Sequence, residues 1–151
     1  MRQVLLVLAL FASIVAAADA TAQPDPGTSV RATTFTVPLA GPGGTGSAFL
    51  EINPGGKVCY VIEVTLTTPG DVPQEPAPGL GNAHLHDVPT GGIAVDLDTT
   101  FTALGNGMFI AADCVRGDKD VVRDLLAHPN QYYVNVHTTS FPGGAVTGTL
   151  A

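Results

Sequence analysis

Two histidines separated by one residue, His84 and His86, stand in the segment Asn82-Ala83-His84-Leu85-His86-Asp87. On an extended strand, residues i and i+2 point to the same face and lie about 6.6 Å apart, at a rise of about 3.3 Å per residue. Imidazoles at that spacing can converge on one metal ion. A third histidine, His137, closes the run Tyr132-Tyr133-Val134-Asn135-Val136. There Val134 and Val136 alternate with Tyr133, Asn135 and His137, which leaves the histidine in polar company near a strand end. Two ligands from one strand and a third from a distant one make a three-imidazole set suited to copper or zinc. Ring nitrogens about 3–4 Å apart would fit one ion with bonds of about 2.0 Å. The competing reading is a histidine network that hydrogen-bonds strand ends together. Because an imidazole must be deprotonated to ligate, affinity is expected to fall as pH drops through the ordinary range near ~6.5. His128 reads differently: it precedes Pro129 at the end of a helical segment, where a cation suits the helix dipole.

Other chemistries find little support. The chain contains no GxSxG elbow, phosphate-binding loop, dinucleotide fingerprint or HExxH helix. Asp96 and Asp98, two apart at the end of a short strand, read as solvent-facing. A copper-dependent redox activity is compatible with three histidines, but no complete catalytic motif accompanies them. With 6 Lys+Arg against 13 Asp+Glu, the net charge is −7. A nucleic-acid partner needs a cationic footprint, and anionic membranes need one too, so neither is expected.

The elements that must position these residues read as strands. A length of 151 residues, 45% of them hydrophobic and 13% charged, suits one folded domain rather than a disordered chain. Glycine and proline clusters cut it into short alternating segments: Thr33 to Leu39, Gly46 to Ile52, Lys57 to Thr67, Asn82 to Val88, Ile93 to Leu97, Met108 to Ala112, Gln131 to Thr138 and Ala145 to Leu150. Lys57 to Thr67 is the clearest, with Val58, Tyr60, Ile62, Val64 and Leu66 on one face. The Asn53-Pro54-Gly55-Gly56 turn makes a hairpin with the segment before it. Tyr132 to Thr138, free of proline and glycine, reads as a central strand. Gly117 to Ala127 is the helix candidate, capped by Asp118 and ended by Pro129. About eight short strands with one short helix predict an all-β, antiparallel, Greek-key-like sandwich or barrel.

Residues 1–22 read as a signal peptide: Arg2, then the apolar run Val4 to Ala18, then small-x-small cleavage sites at Ala18-Asp19-Ala20 and Ala20-Thr21-Ala22. Residues 23–30 read as a flexible leader and 31–151 as the domain. The expected product is secreted, with no membrane segment in its mature form. Export favours a disulfide between Cys59 and Cys114, closing a 55-residue loop. A thiolate ligand or nucleophile is the alternative, but neither cysteine lies in a CxxC pair or beside a His or Lys.

The segments Ala83-His84-Leu85-His86, Ile93 to Leu97, Leu125 to Thr138 and Phe141 to Leu150, with the Val58-Cys59-Tyr60 strand, resemble the chordin-type (CHRD) domain family. The resemblance covers residues 31 to 151, and the run Tyr132 to Leu150 is its most specific part. It implies a secreted, mostly β domain, here a secreted bacterial member, of the kind also found in animal chordin. By that comparison an extracellular protein partner, and a non-catalytic binding or matrix module without metal, is the alternative to a metal-binding domain. An HxH strand with a distant third histidine is also similar to the copper side of copper/zinc superoxide dismutases. On that likeness His84, His86 and His137 match copper ligands in type and order. Between His86 and His137 there is only His128, and the last arginine is Arg123. The likeness therefore reaches the ligands and not the rest of a dismutase site.

Overall fold

The computed structural model describes residues 31–151. The expected signal peptide (1–22) and leader (23–30) lie outside the described residues. The chain runs β1 (Thr33–Gly41), β2 (Gly44–Ile52), β3 (Lys57–Leu66), β4 (Ala83–Asp87), β5 (Ile93–Asp96), β6 (Thr102–Gly105), β7 (Met108–Arg116), α1 (Lys119–Ala127), a 3-10 turn (Pro129–Gln131), β8 (Tyr132–Val136) and β9 (Val146–Thr149). The predicted antiparallel all-β class with one short helix holds. Every strand pair is antiparallel, in one sheet ordered β5-β4-β8-β9-β1-β2-β3-β7-β6.

Chain connectivity forces this sheet to curl. Laid flat, nine strands at about 4.8 Å spacing would separate the outermost pair by roughly 38 Å. The outermost strands, β5 and β6, are joined by Leu97–Phe101 alone. Five extended residues reach only about 20 Å. The two edges must therefore approach each other, and the sheet becomes a half-barrel whose inner face holds the core.

Alternation builds that core. In β3 the residues Val58, Tyr60, Ile62, Val64 and Leu66 are buried, while Val61, Glu63 and Thr65 are exposed. Val37, Leu39, Leu50, Ile52, Leu85, Val134 and Val136 supply the same inner face from other strands. Helix α1 adds Val122 and Leu125 to this cluster. It begins at Asp118, whose carboxylate accepts the N–H groups of Asp120 and Val121, and it ends before Pro129.

Two details differ from the sequence reading and a third agrees with it. Strand β7 continues to Arg116, so Cys114 lies inside a strand, directly opposite Cys59 on β3, and the two are disulfide-bonded. The bridge therefore staples adjacent strands, since β7 runs past the Ala112 end read from the sequence. Strand β6 was not expected. Its four residues are all exposed, so it carries no alternation to read. Strand β8 is interior, between β4 and β9, as its composition predicts.

Candidate metal centre

Strands β4 and β8 depart from the one-sided burial seen in β3. All of Ala83, His84, Leu85 and His86 are buried, as are Val134, Asn135 and Val136. Ala83, Leu85, Val134 and Val136 belong to the core cluster, so His84, His86, Tyr133 and Asn135 occupy the opposite, outer face. Register places Asn135 and Asp96 on either side of His84, and Tyr133 beside His86.

The cover over this outer face is made of loops. The backbone after β8 turns through Thr138–Gly144, and a second segment, Asp71–Gln74, straps it down. Gln74 N–H donates to the His137 carbonyl, Thr139 N–H to the Val72 carbonyl, and Ser140 N–H to the Asp71 carboxylate. Gly144 sits with φ +133° against the Asn135 amide, leaving no room for a Cβ. A larger residue there would push the cover off the site.

Under that cover His84, His86 and His137 come together, each 8% exposed or less. One ring nitrogen from each lies within 4.8 Å of the other two. His84 Nδ1 and His137 Nε2 are 3.1 Å apart, close to the ~3.3 Å edge of a tetrahedron with bonds of about 2.0 Å. Two such bonds span at most ~4 Å, so with all separations within 4.8 Å any inward movement of the rings on binding stays below about 1 Å.

Two backbone carbonyls orient the rings. His137 Nδ1 lies 2.8 Å from the Pro142 carbonyl, and His86 Nδ1 lies 3.1 Å from the Gly91 carbonyl. A carbonyl only accepts, so each ring carries its proton on Nδ1 and presents a lone pair on Nε2. The His86 ring also stacks on Tyr133, centroids 5.1 Å apart and planes 15° from parallel. Burial pushes His84 down to about 4, with His137 and His86 adding to the shift and Asp96 opposing it. Burial likewise lowers His137, against the Pro142 hydrogen bond. The His84 and His137 rings are therefore neutral at physiological pH. Proton competition for them is displaced below the ordinary imidazole range that the sequence suggested.

The structure brings the three histidines singled out in the sequence into one cluster and leaves His128 apart from it. His128 Nδ1 lies 3.0 Å from Asp124 Oδ1 on the helix end, away from the cluster. Sequence reasoning missed Asp96. That carboxylate accepts the N–H groups of Gly81 and Asp98 at 3.0 and 2.9 Å, and its Oδ1 lies 3.6 Å from His84 Nε2. The antiparallel β4–β5 register that opposes Asp96 to His84 is not visible in local spacing. Asn135 was seen only as part of a polar run.

A curled antiparallel sheet with a covered three-histidine cluster on its outer face defines an all-β domain with a candidate transition-metal centre. A family model for the CHRD domain matches residues 27–150, and the chain belongs to that family. No curated protein and no solved structure matches it. Among the described residues, no helix is long and apolar enough to cross a membrane.

Proposed function

We propose that this CHRD-domain protein is a secreted metal-binding domain whose His84 Nδ1, His86 Nε2 and His137 Nε2 hold one copper or zinc ion. A single observation carries the reading over the rival hydrogen-bond network. In a network, buried ring nitrogens should find partners, because an unmade buried hydrogen bond costs about 1–3 kcal/mol. The His84–His137 contact and the two carbonyl bonds satisfy part of the cluster. His86 Nε2 and His84 Nε2 remain buried with no partner. A lone pair on His86 Nε2, fixed by the Gly91 carbonyl and sealed from water, is a ligand in waiting.

The donor set speaks to the ion. Three neutral imidazoles without a carboxylate in the cluster suit copper or zinc and not calcium or magnesium, which demand oxygen. A bound ion would supply Lewis acidity if zinc, or one-electron chemistry if copper. The chain's own contribution is to hold the rings, fix their tautomers and exclude water. The Cys59–Cys114 bridge suits an oxidising compartment, in line with an exported product.

Titration of the purified protein with Zn²⁺ and with Cu²⁺, followed by calorimetry, tests the reading. We expect one equivalent bound, and loss of binding in His86→Ala with circular dichroism unchanged. A wild type that takes up neither ion removes it. A metal-free interaction module is the second reading, favoured by Phe49 and Val61, register neighbours on the outer face that are 45% and 38% exposed.

A further inference from the structure

We infer that Asp96 is a positioning residue that lets His84 become a ligand, by accepting a hydrogen bond from the Nε2–H that His84 must carry once its ring proton leaves Nδ1. The inference rests on the metal-binding reading above and deepens it.

The argument starts from which atoms carry protons. His137 donates Nδ1–H to the Pro142 carbonyl, so its Nε2 is a lone pair. That lone pair lies 3.1 Å from His84 Nδ1. Without an ion, the contact is a hydrogen bond only if His84 carries its proton on Nδ1. His84 Nε2 is then a bare lone pair, buried and unpartnered. It faces Asp96 Oδ1 at 3.6 Å. Two acceptors confront each other there, and neither gains anything from the contact.

Ligation reverses the arrangement. To join His137 Nε2 and His86 Nε2 around one ion, His84 must offer the nitrogen on their side, which is Nδ1. Its proton then resides on Nε2, directed at the carboxylate. No proton is gained or released by the ring, and the total charge of the cluster changes only by that of the ion. Asp96 is well held for this task. Its Oδ1 is fixed by the Gly81 and Asp98 N–H groups, and Asp98 takes a φ of +48° as the chain turns back to place its N–H there. A metal-bound imidazole that donates its other N–H to a carboxylate is oriented and made more basic. The pairing arises from strand register and not from local spacing.

Long-range ¹⁵N–¹H NMR of the histidine rings, with and without Zn²⁺, tests the inference on the wild type. We expect Nδ1–H on all three rings before zinc. After zinc, His84 changes to Nε2–H with a slowly exchanging ring proton, while His86 and His137 keep theirs on Nδ1. Asp96→Asn keeps an acceptor for the loop but removes the charge. It is expected to weaken zinc binding roughly 10–100-fold and to move the His84 Nε2–H resonance upfield with its exchange still slow, because a neutral amide accepts a weaker hydrogen bond than a carboxylate; loosening of the loop alone would instead speed exchange. Zinc binding with His84 still on Nδ1–H, or with unchanged affinity in Asp96→Asn, overturns the inference and leaves the metal site standing. Absence of zinc and copper binding in the wild type overturns both. The wild-type spectra decide the matter where the variant fails to fold.

Discussion

The Asp71 carboxylate accepts the backbone N–H of Ser140 at 2.9 Å across 69 residues of chain. It thereby fastens the loop that follows His137 to the loop that follows β3. Burial pushes the Asp71 carboxyl up, but the Ser140 N–H and the neighbouring hydroxyls of Thr138, Ser140 and Thr139 outweigh it and hold the group below its ordinary 3.8. A carboxylate with a depressed folded-state value stabilises fully above its unfolded value and loses that contribution as pH falls through the folded one. Asp71→Asn is therefore expected to cost about 2 kcal/mol at pH 7. The gap to wild type should hold down to about pH 4 and close below it. Urea unfolding at several pH values reads this out, and a gap that widens in acid would contradict it.

Removing the staple between β3 and β7 should lower stability without altering the fold. Cys59→Ser with Cys114→Ser opens a loop of 55 residues, for which chain entropy gives about 4 kcal/mol, an upper figure. Denaturant midpoints of the double variant and of reduced wild type should agree. Thiol titration of the denatured, unreduced protein should find none.

Gly148 of β9 lies so close to the Pro38 carbonyl and the Val37 side chain of β1 that a Cβ has no space. Gly148→Ala must separate the two strands or shift the backbone. A loss of about 2 kcal/mol is expected, measured as a lower thermal midpoint. An unchanged midpoint would show that the strands part freely.

Amide exchange should rank the strands by position. Strand β8, paired on both sides and buried, should exchange slowest, and β6, an edge with four exposed residues, fastest. Rapid exchange through Tyr132–Val136 would contradict an interior place for β8.

Legibility in the sequence followed burial. Strand β3 could be read because one face is core and the other is solvent, so hydrophobicity alternates without interruption. Helix α1 could be read from Asp118 and Pro129, which act locally. The far half of β7 could not, since Asp113, Cys114 and Arg116 break the apolar pattern of a strand exposed on most of its length. His84, His86 and His137 were legible because the residue type itself is chemical. Asp96, Asp71 and the Gly91 and Pro142 carbonyls were not. Each acts on a histidine or its loop through register or a loop crossing, and a carboxylate in a turn looks the same whether it faces water or an imidazole.

Strand β9 has a consequence for how the molecule is made. It is the last strand in chain order, yet it lies between β8 and β1 and supplies the hydrogen bonds that join the β5-β4-β8 side of the sheet to the β1-β2-β3-β7-β6 side. Until Val146–Thr149 is synthesised, β1 and β8 are both unpaired edges, one on each half, and the histidine cover has no far anchor. Completion of the sheet thus waits for β9, whatever the order in which the other strands pair. A chain cut before Val146 would therefore carry two unpaired strand edges, a sticky fragment prone to edge-to-edge association rather than a slightly shortened protein.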